Sequence, residues 1–132
     1  MGRRGLSALL LDTHAWAWSF AGDDRLTASA VATIGQAETV LVSPISFFEI
    51  AQKVRLGKWP EMVQFVTQLP EILKRQGGSV AELGPAICVM AGMLDWPHRD
   101  PFDRLLAATA LHYRLPILSV DTVFDEVVTR RW

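Results

Sequence analysis

The sequence predicts an α/β protein with a doubly wound central parallel sheet flanked by helices. Short apolar runs alternate with longer segments whose apolar residues recur at helical spacing, which is typical of strand–helix–strand units. The apolar runs are continuous, as expected of strands buried on both faces. A length of 132 residues suits one compact domain, and no linker, repeat or low-complexity tract divides residues 1–132. We therefore expect a single domain over the whole chain.

The individual elements follow from local signals. Pro44 closes the second apolar run, Gly57 ends the helix after it, and Gly77 with Gly78 forms a turn before the third strand. Pro70 predicts a kink or break inside a long helix. In chain order, we predict strands over residues 9–11, 40–43, 79–83, 117–120 and 127–129, and helices over residues 13–20, 26–37, 46–56, 62–74, 85–93 and 101–113.

Composition and charge exclude several classes of protein. With 50% hydrophobic residues, 20% charged residues and one cysteine, the chain is not disordered, collagen-like or disulfide-rich. A net charge of -1 argues against nucleic-acid binding by overall basicity, so such a role needs a local arrangement. We expect a cytoplasmic protein, because no apolar run approaches the roughly 20 residues of a membrane span and no signal peptide is evident. We expect the one cysteine, Cys88, to be a buried thiol of a protein in a reducing compartment.

Four acidic residues lie next to predicted strands. Asp12 and Asp121 directly follow strands, Glu49 lies in the first turn after the second strand, and Asp103 begins the helix that leads to the fourth. Ligands of such sheets bind beyond the carboxyl ends of the strands, so these side chains could meet at one edge. A divalent cation would relieve their repulsion, and an all-oxygen set suits Mg²⁺ or Mn²⁺ rather than zinc.

Helix capping is the competing interpretation of several acids. Ser46 and Glu49 have the spacing of a capping box, in which the Glu49 carboxylate bonds back to the Ser46 amide. Asp100 precedes Pro101 as an N-cap, and Asp103 occupies the third helical position. For these three acids helix logic alone favours capping, whereas it leaves both interpretations open for Asp12 and Asp121.

Four motifs occur in order along the chain. They read LLDTH at residues 10–14, SFFEIAQK at 46–53, DPFDRLLAA at 100–108 and LPILSVD at 115–121. Each is weak alone, but the ordered set resembles the successive motifs of PIN-domain proteins, and within them the VapC toxins of bacterial toxin–antitoxin pairs.

The resemblance implies a single PIN-like domain with Mg²⁺- or Mn²⁺-dependent endoribonuclease activity on an RNA substrate. It also implies a toxin of a type II pair that forms a homodimer and is inhibited by a cognate VapB-like antitoxin. The absence of a membrane-length apolar run separately predicts that the protein does not act at a membrane. By this resemblance the acidic metal-binding positions are Asp12, Glu49, Asp103 and Asp121, and the hydroxyl positions beside them are Thr13 and Ser119.

Basic and apolar side chains supply further hypotheses. Lys53 has the spacing of a helical ion pair with Glu49. Trp16 and Trp18 cannot share one helix face, so we expect one in the core and one at an interface. A set of basic residues could guide a phosphate backbone or could merely form a solvated charged face: Lys53, Arg55, Lys58, Arg99 and Arg104. A set of apolar residues could line a groove for a partner peptide: Phe20, Val63, Phe65 and Val66.

Two other functions stay open at this point. A non-catalytic module could keep the fold and bind RNA or protein. A different metal-dependent phosphoryl-transfer enzyme is the second alternative, because residues 9–12 resemble the nucleophile strand of haloacid-dehalogenase-like phosphatases. That motif requires a second aspartate two residues later, where this chain has His14.

Overall fold

The structure, a computed structural model, describes residues 6–132, and residues 1–5 of the predicted domain lie outside it. The described chain contains a five-stranded parallel sheet of order β3-β2-β1-β4-β5, which confirms the predicted fold class. The strands are β1 Ala8–Leu11, β2 Thr39–Val42, β3 Ser79–Val80, β4 Ile117–Leu118 and β5 Arg130–Arg131. The helices are α1 Thr13–Ala21, α2 Ala28–Gln36, α3 Pro44–Arg55, α4 Leu69–Arg75, α5 Pro85–Met93 and α6 Pro101–Tyr113.

The central strand β1 is buried on both faces, which explains its continuous apolar sequence. Leu9 and Leu11 pack with residues of α1 to α4, whereas Leu10 packs with α6 on the opposite face. Helix α5 lies against α6 through Ile87 and Ala91. Each buried leucine contributes about 2 kcal/mol by removal of apolar surface from water. This burial on both faces fixes the position of β1 and therefore of its carboxyl end.

The strand order reverses at β1, whose two neighbours are β2 and β4. The backbone N–H of Asp12 donates to the carbonyl of Leu118 over 3.0 Å, so the ends of β1 and β4 meet directly. In parallel α/β sheets this reversal opens a crevice at the carboxyl ends of the strands. The fold therefore brings residues around 12 and 119 to one edge.

The predicted helix over 62–74 is confirmed from Leu69 onwards, where it coincides with α4, and is wrong for residues 62–68. Two short 3₁₀ turns, Pro60–Met62 and Val66–Gln68, precede α4, which begins at Leu69. Pro70 lies in the first turn of α4, where its missing N–H costs nothing, so it starts a helix instead of kinking one. The helical spacing of apolar residues arises because Met62, in the first turn, and Leu69, at the start of α4, are both buried.

The strands after β2 are shorter or displaced relative to the prediction. Strands β3 and β4 each have two residues, and the edge strand lies at Arg130–Arg131 instead of 127–129. The chain at Thr122–Glu126 forms a 3₁₀ turn that buries Phe124, which delays the edge strand. Two arginines carry no strand signal, so only pairing with β4 defines β5.

Two predictions about single side chains are also wrong. Trp16 and Trp18 are both buried, at 0% and 8% exposure, because α1 packs against neighbours on more than one side. Cys88 is exposed, since α5 turns Ile87 and Ala91 towards α6. Among the helices of residues 6–132, none combines the length and apolar character needed to cross a bilayer.

Candidate active site

Asp12 lies at the end of β1 and is also the N-cap of α1. Its Oδ1 accepts the backbone N–H of Thr13 over 2.6 Å, and its Oδ2 accepts the hydroxyl of Ser119 over 2.6 Å. The residue is only 7% exposed. Asp12 therefore combines a capping role with a buried carboxylate at the crevice.

Asp121 reaches this edge through Ser119. The backbone N–H of Asp121 donates to Ser119 Oγ over 3.0 Å, so one buried hydroxyl connects both acids. The Asp121 side chain is exposed, and its Oδ1 accepts the N–H of Val123 over 3.0 Å at the start of the 3₁₀ turn. Asp121 is thus an N-cap with one carboxylate oxygen left over.

The predicted capping box at Ser46 and Glu49 is wrong. Helix α3 begins three residues earlier than the box requires, with Ser43 Oγ accepting the N–H of Ile45 over 3.1 Å. Pro44 suits the first position of this helix, which moves the start upstream. The N–H of Ser46 bonds to the Ser43 carbonyl, so Glu49 has no capping partner there.

Ser46 and Glu49 instead face the same edge from inside α3. Ser46 Oγ lies 2.7 Å from Thr13 Oγ1, and both residues are fully buried. Glu49 is 6% exposed, and its Oε2 accepts Lys53 Nζ over 2.6 Å, which confirms the expected ion pair. The Lys53 ammonium also lies 5.6 Å from the ring centroid of Trp59. Lys53 thus places a positive charge beside a buried carboxylate.

Asp103 occupies the first turn of α6, and its Oδ2 lies 2.7 Å from His98 Nε2. Asp100 is the N-cap of this helix, accepting from the N–H of Phe102 over 2.9 Å, as predicted. Capping therefore accounts for Asp100. Asp103 bonds to a histidine side chain, so helix capping does not account for it.

The carboxylates repel one another. Burial, reinforced by the charges of Asp103 and Glu49, raises the pKa of Asp12 to about 7, although the hydrogen bonds from Ser119 and Thr13 oppose this. Burial also raises the pKa of Asp103, as do the charges of Asp100 and Glu49, while the His98 hydrogen bond acts in the opposite direction. The charges of Asp103 and Glu49 thus disfavour the charged form of Asp12, and the charge of Glu49 also disfavours the charged form of Asp103.

These acids fit a hard cation by chemistry more than by spacing. Among residues 6–132, the side-chain group whose ligand atoms all lie within 4.8 Å of one another is His98, Asp100 and Asp103. No three of the four predicted acids form such a group among these residues. Their donors are nevertheless all carboxylate oxygens, the ligands Mg²⁺ and Mn²⁺ prefer, and excess negative charge is buried at Asp12.

Sequence reasoning assigned the wrong role to Arg104. Its guanidinium bonds to backbone carbonyls of residues 91–98 instead of flanking the site with a free charge. Nothing in the sequence marks such acceptors, because they are backbone atoms of a turn whose path depends on tertiary packing. The other basic candidates, Arg55, Lys58 and Arg99, are exposed.

His14 and Trp59 form an aromatic wall near Lys53. Their rings stack with centroids 4.6 Å apart and planes 27° apart. Burial and the charge of Lys53 lower the pKa of His14, so its imidazole is neutral at pH 7. The neutral imidazole of His14 thus packs against the Trp59 ring.

Comparisons with known proteins identify the family to which this chain belongs. A sequence model of the PIN domain matches residues 9–129, and the chain belongs to the PIN domain family. Ribonuclease VapC22 of Mycobacterium tuberculosis is 27% identical over 119 residues, which cover 88% of each chain.

Solved structures share the fold at lower identity. VapBC2 from Rickettsia felis, bound to a DNA fragment from its promoter, has a chain with a TM-score of 0.66 and 14% identity, covering 94% of this chain and 97% of that one. FitAcB from Neisseria gonorrhoeae has one with a TM-score of 0.53 and 20% identity, covering 92% and 95%.

Proposed function

We propose that this protein is a Mg²⁺- or Mn²⁺-dependent endoribonuclease that acts as the toxin of a type II toxin–antitoxin pair. The observation that carries the proposal is the buried carboxylate of Asp12, whose pKa is raised to about 7 by burial and by Asp103 and Glu49. Unfavourable buried charge at a strand end is typical of a functional site. Membership of the PIN domain family and likeness to a ribonuclease support this choice.

The carboxylates of Asp12, Glu49, Asp103 and Asp121 are the proposed metal-holding groups. A divalent cation held by these carboxylates would supply positive charge for polarising the scissile phosphate and for lowering the pKa of an attacking water. Ser119 holds one oxygen of Asp12 and the backbone of Asp121 in fixed orientations. Thr13 and Ser46 fix α1 against α3 behind the carboxylates.

The four acids differ in access to solvent, and this suggests a division of roles. Asp121 is exposed, whereas Asp12 and Glu49 are buried and Asp103 is half-buried. We assign to Asp121 the acceptance of a proton from the attacking water, because its side chain is exposed and its bond to the N–H of Val123 uses Oδ1 alone. The exposed cations Arg55, Lys58 and Arg99 are the proposed contacts to the RNA backbone.

We propose a VapB-like antitoxin as the partner. The solved complexes VapBC2 and FitAcB share this fold. The predicted groove retains an apolar surface: Phe20 and Phe65 meet edge to face at 5.1 Å, and Val63 is 59% exposed. An arginine of the antitoxin reaching the acidic edge would inhibit the enzyme, because guanidinium groups pair bidentately with carboxylates.

We propose that α5 forms the contact between two copies in a homodimer. The helix carries no charged residue. Its outer face exposes Val89 at 67% and Met93 at 79%. Large apolar side chains on one uncharged helix face are typical of protein contacts. A second copy would cover this surface with the same residues, as in a two-fold dimer.

Cleavage of single-stranded RNA by the purified protein tests the proposed activity. We expect cleavage in Mg²⁺ or Mn²⁺, none in EDTA, and none by Asp12→Asn. The matched control is Asp23→Asn, which removes an exposed aspartate paired with Arg25 and should cleave like the wild type. Cleavage that persists in EDTA, or an active Asp12→Asn protein, would contradict the proposal.

A further inference from the structure

The guanidinium of Arg104 is fully occupied by backbone acceptors. An arginine side chain has five N–H donors, and here Nε makes one hydrogen bond while Nη1 and Nη2 make two each. The five acceptors are the carbonyl oxygens of Ala91, Gly92, Leu94, Trp96 and His98, at 2.9, 3.4, 2.8, 2.7 and 2.9 Å. No N–H of this side chain remains for a phosphate.

These carbonyls belong to the end of α5 and the irregular turn that follows it. Helix α5 ends at Met93, and the last carbonyls of a helix have no partner within the helix. A positive charge at this end also matches the helix dipole. Arg104, which lies on α6, therefore caps the C-terminus of α5 and fixes the backbone conformation of the segment that connects the two helices.

The turn held by Arg104 presents His98 to Asp103. His98 Nε2 lies 2.7 Å from Asp103 Oδ2, and the His98 ring packs against Trp96 with centroids 4.9 Å apart. Trp96 is 5% exposed and contacts Phe124 in the core. The imidazole is thus fixed through its backbone by Arg104 and through its ring by a buried tryptophan.

We propose that Arg104 is a positioning residue that holds the turn so that His98 orients the carboxylate of Asp103. The proposal rests on the proposed function only in placing Asp103 at the nuclease site. A hydrogen bond to one carboxylate oxygen fixes the direction of the other, and partners of this kind tune the affinity of metal ligands. Arg104 and Asp103 are neighbours on α6, so one short segment holds both the turn and the acid.

Four single variants and the double variant Arg104→Lys/His98→Ala test this proposal. Arg104→Lys keeps the charge but cannot bond to five carbonyls, and His98→Ala removes the partner of Asp103. His98→Gln restores a donor near the position of Nε2. The matched control is Arg75→Lys, at the exposed end of α4. The measurements are RNA cleavage kinetics, Mn²⁺ affinity by titration calorimetry, and ¹⁵N NMR signals of the His98 ring.

We expect Arg104→Lys and His98→Ala each to lower kcat by about 10- to 100-fold with KM nearly unchanged, since small misplacement of a site group has this effect. Both should weaken Mn²⁺ binding, His98→Gln should recover most of the loss, and Arg75→Lys should match the wild type. The double variant should be no worse than Arg104→Lys alone, because both changes act on one carboxylate. A raised KM with unchanged kcat in Arg104→Lys would instead assign Arg104 to RNA binding and overturn the proposal.

The wild-type protein provides a test that needs no variant. Five hydrogen bonds should keep the Nε and Nη protons of Arg104 in slow exchange and individually visible by NMR, unchanged when an RNA oligonucleotide is added in EDTA. Rapidly exchanging protons, or shifts on adding RNA, would overturn the proposal. If the wild type cleaves no RNA, the proposed function fails while these signals and the Mn²⁺ titrations still decide the role of Arg104.

Discussion

The hydroxyl of Ser119 donates to the carboxylate of Asp12 over 2.6 Å, although the two residues are 107 positions apart in the chain. Both are buried at the point where the strand order reverses. This hydrogen bond opposes the effect of burial on the pKa of Asp12 without cancelling it. The edge of the sheet therefore holds a carboxyl group that is oriented by hydrogen bonds and whose charged form burial still disfavours.

The first prediction concerns pH and the metal-free protein. The pKa of Asp12 is about 7 in the folded protein and near 3.8 in the unfolded chain, so the folded state binds the proton more tightly. Below about pH 4 Asp12 is protonated in both states, so its ionisation does not change the free energy of unfolding. As the pH rises to 7, ionisation of Asp12 in the unfolded chain lowers the free energy of unfolding by at most about 4 kcal/mol. In EDTA, Asp12→Asn should melt higher than the wild type at pH 8 and equally at pH 4.

Asp23→Asn is the control of opposite sign. The hydrogen bonds from Arg25 lower the pKa of Asp23 to about 2, so this exposed carboxylate does not destabilise the folded state at pH 8. Its loss should therefore give no rise in Tm. Thermal melts across this pH range check both variants, and a Tm difference for Asp12→Asn that is independent of pH would contradict the argument.

The second prediction concerns Glu49. Since Glu49 caps no helix here, Glu49→Gln should not lose a cap, but it removes a charge proposed to hold the cation. We expect RNA cleavage to collapse and the Mg²⁺-induced rise in Tm to shrink. Ser46→Ala should lose its hydroxyl contact with Thr13, costing about 1 kcal/mol, and keep the Mg²⁺ effect. An undiminished Mg²⁺ effect in Glu49→Gln would remove Glu49 from the site.

The third prediction separates the cap of Asp121 from its proposed proton transfer. Asparagine caps helices about as well as aspartate, so Asp121→Asn should keep the bond to the Val123 N–H. Its free energy of unfolding should therefore stay within about 0.5 kcal/mol of the wild-type value. Because an amide accepts no proton from water, kcat should fall by about 100-fold or more. Full activity at all pH values would reassign the proton acceptor.

The fourth prediction concerns the antitoxin groove. Val63→Asp places a charge on a side chain that is 59% exposed, so the fold should tolerate it while antitoxin binding weakens. Val31→Asp, on α2 at 52% exposure, is the matched control. Co-purification with the antitoxin and relief of growth arrest on co-expression measure the effect. Equal antitoxin binding by both variants would place the groove elsewhere.

The fifth prediction concerns the homodimer. Met93→Glu should give a monomer in light scattering after gel filtration, because two copies would bring like charges together in an apolar contact. Its thermal stability at low protein concentration should match the wild type, since Met93 is 79% exposed. Val120→Glu, at 50% exposure but away from α5, should leave the oligomeric state unchanged. A dimeric Met93→Glu protein would exclude α5 as the contact.

The parallel sheet and most helices were predictable because their signals are local. Helices 85–93 and 101–113 were predicted to the residue, since a proline begins each one. The Asp100 cap and the Lys53–Glu49 pair also depend only on neighbours along the chain. Asp12 and Asp121 could be placed near one edge because the ends of parallel strands share it.

The sequence by itself determined the fold class, the starts of α5 and α6 at Pro85 and Pro101, and the set of acids and hydroxyls available to a site. Only the tertiary structure decided which of these groups meet. Asp12 bonds to Ser119, Glu49 faces the edge instead of capping a helix, and the charge of Arg104 is used on carbonyls of a distant turn. The physical reason is that a residue's type specifies what it can bond to, whereas its partner depends on which backbone and side-chain atoms folding brings within about 3 Å.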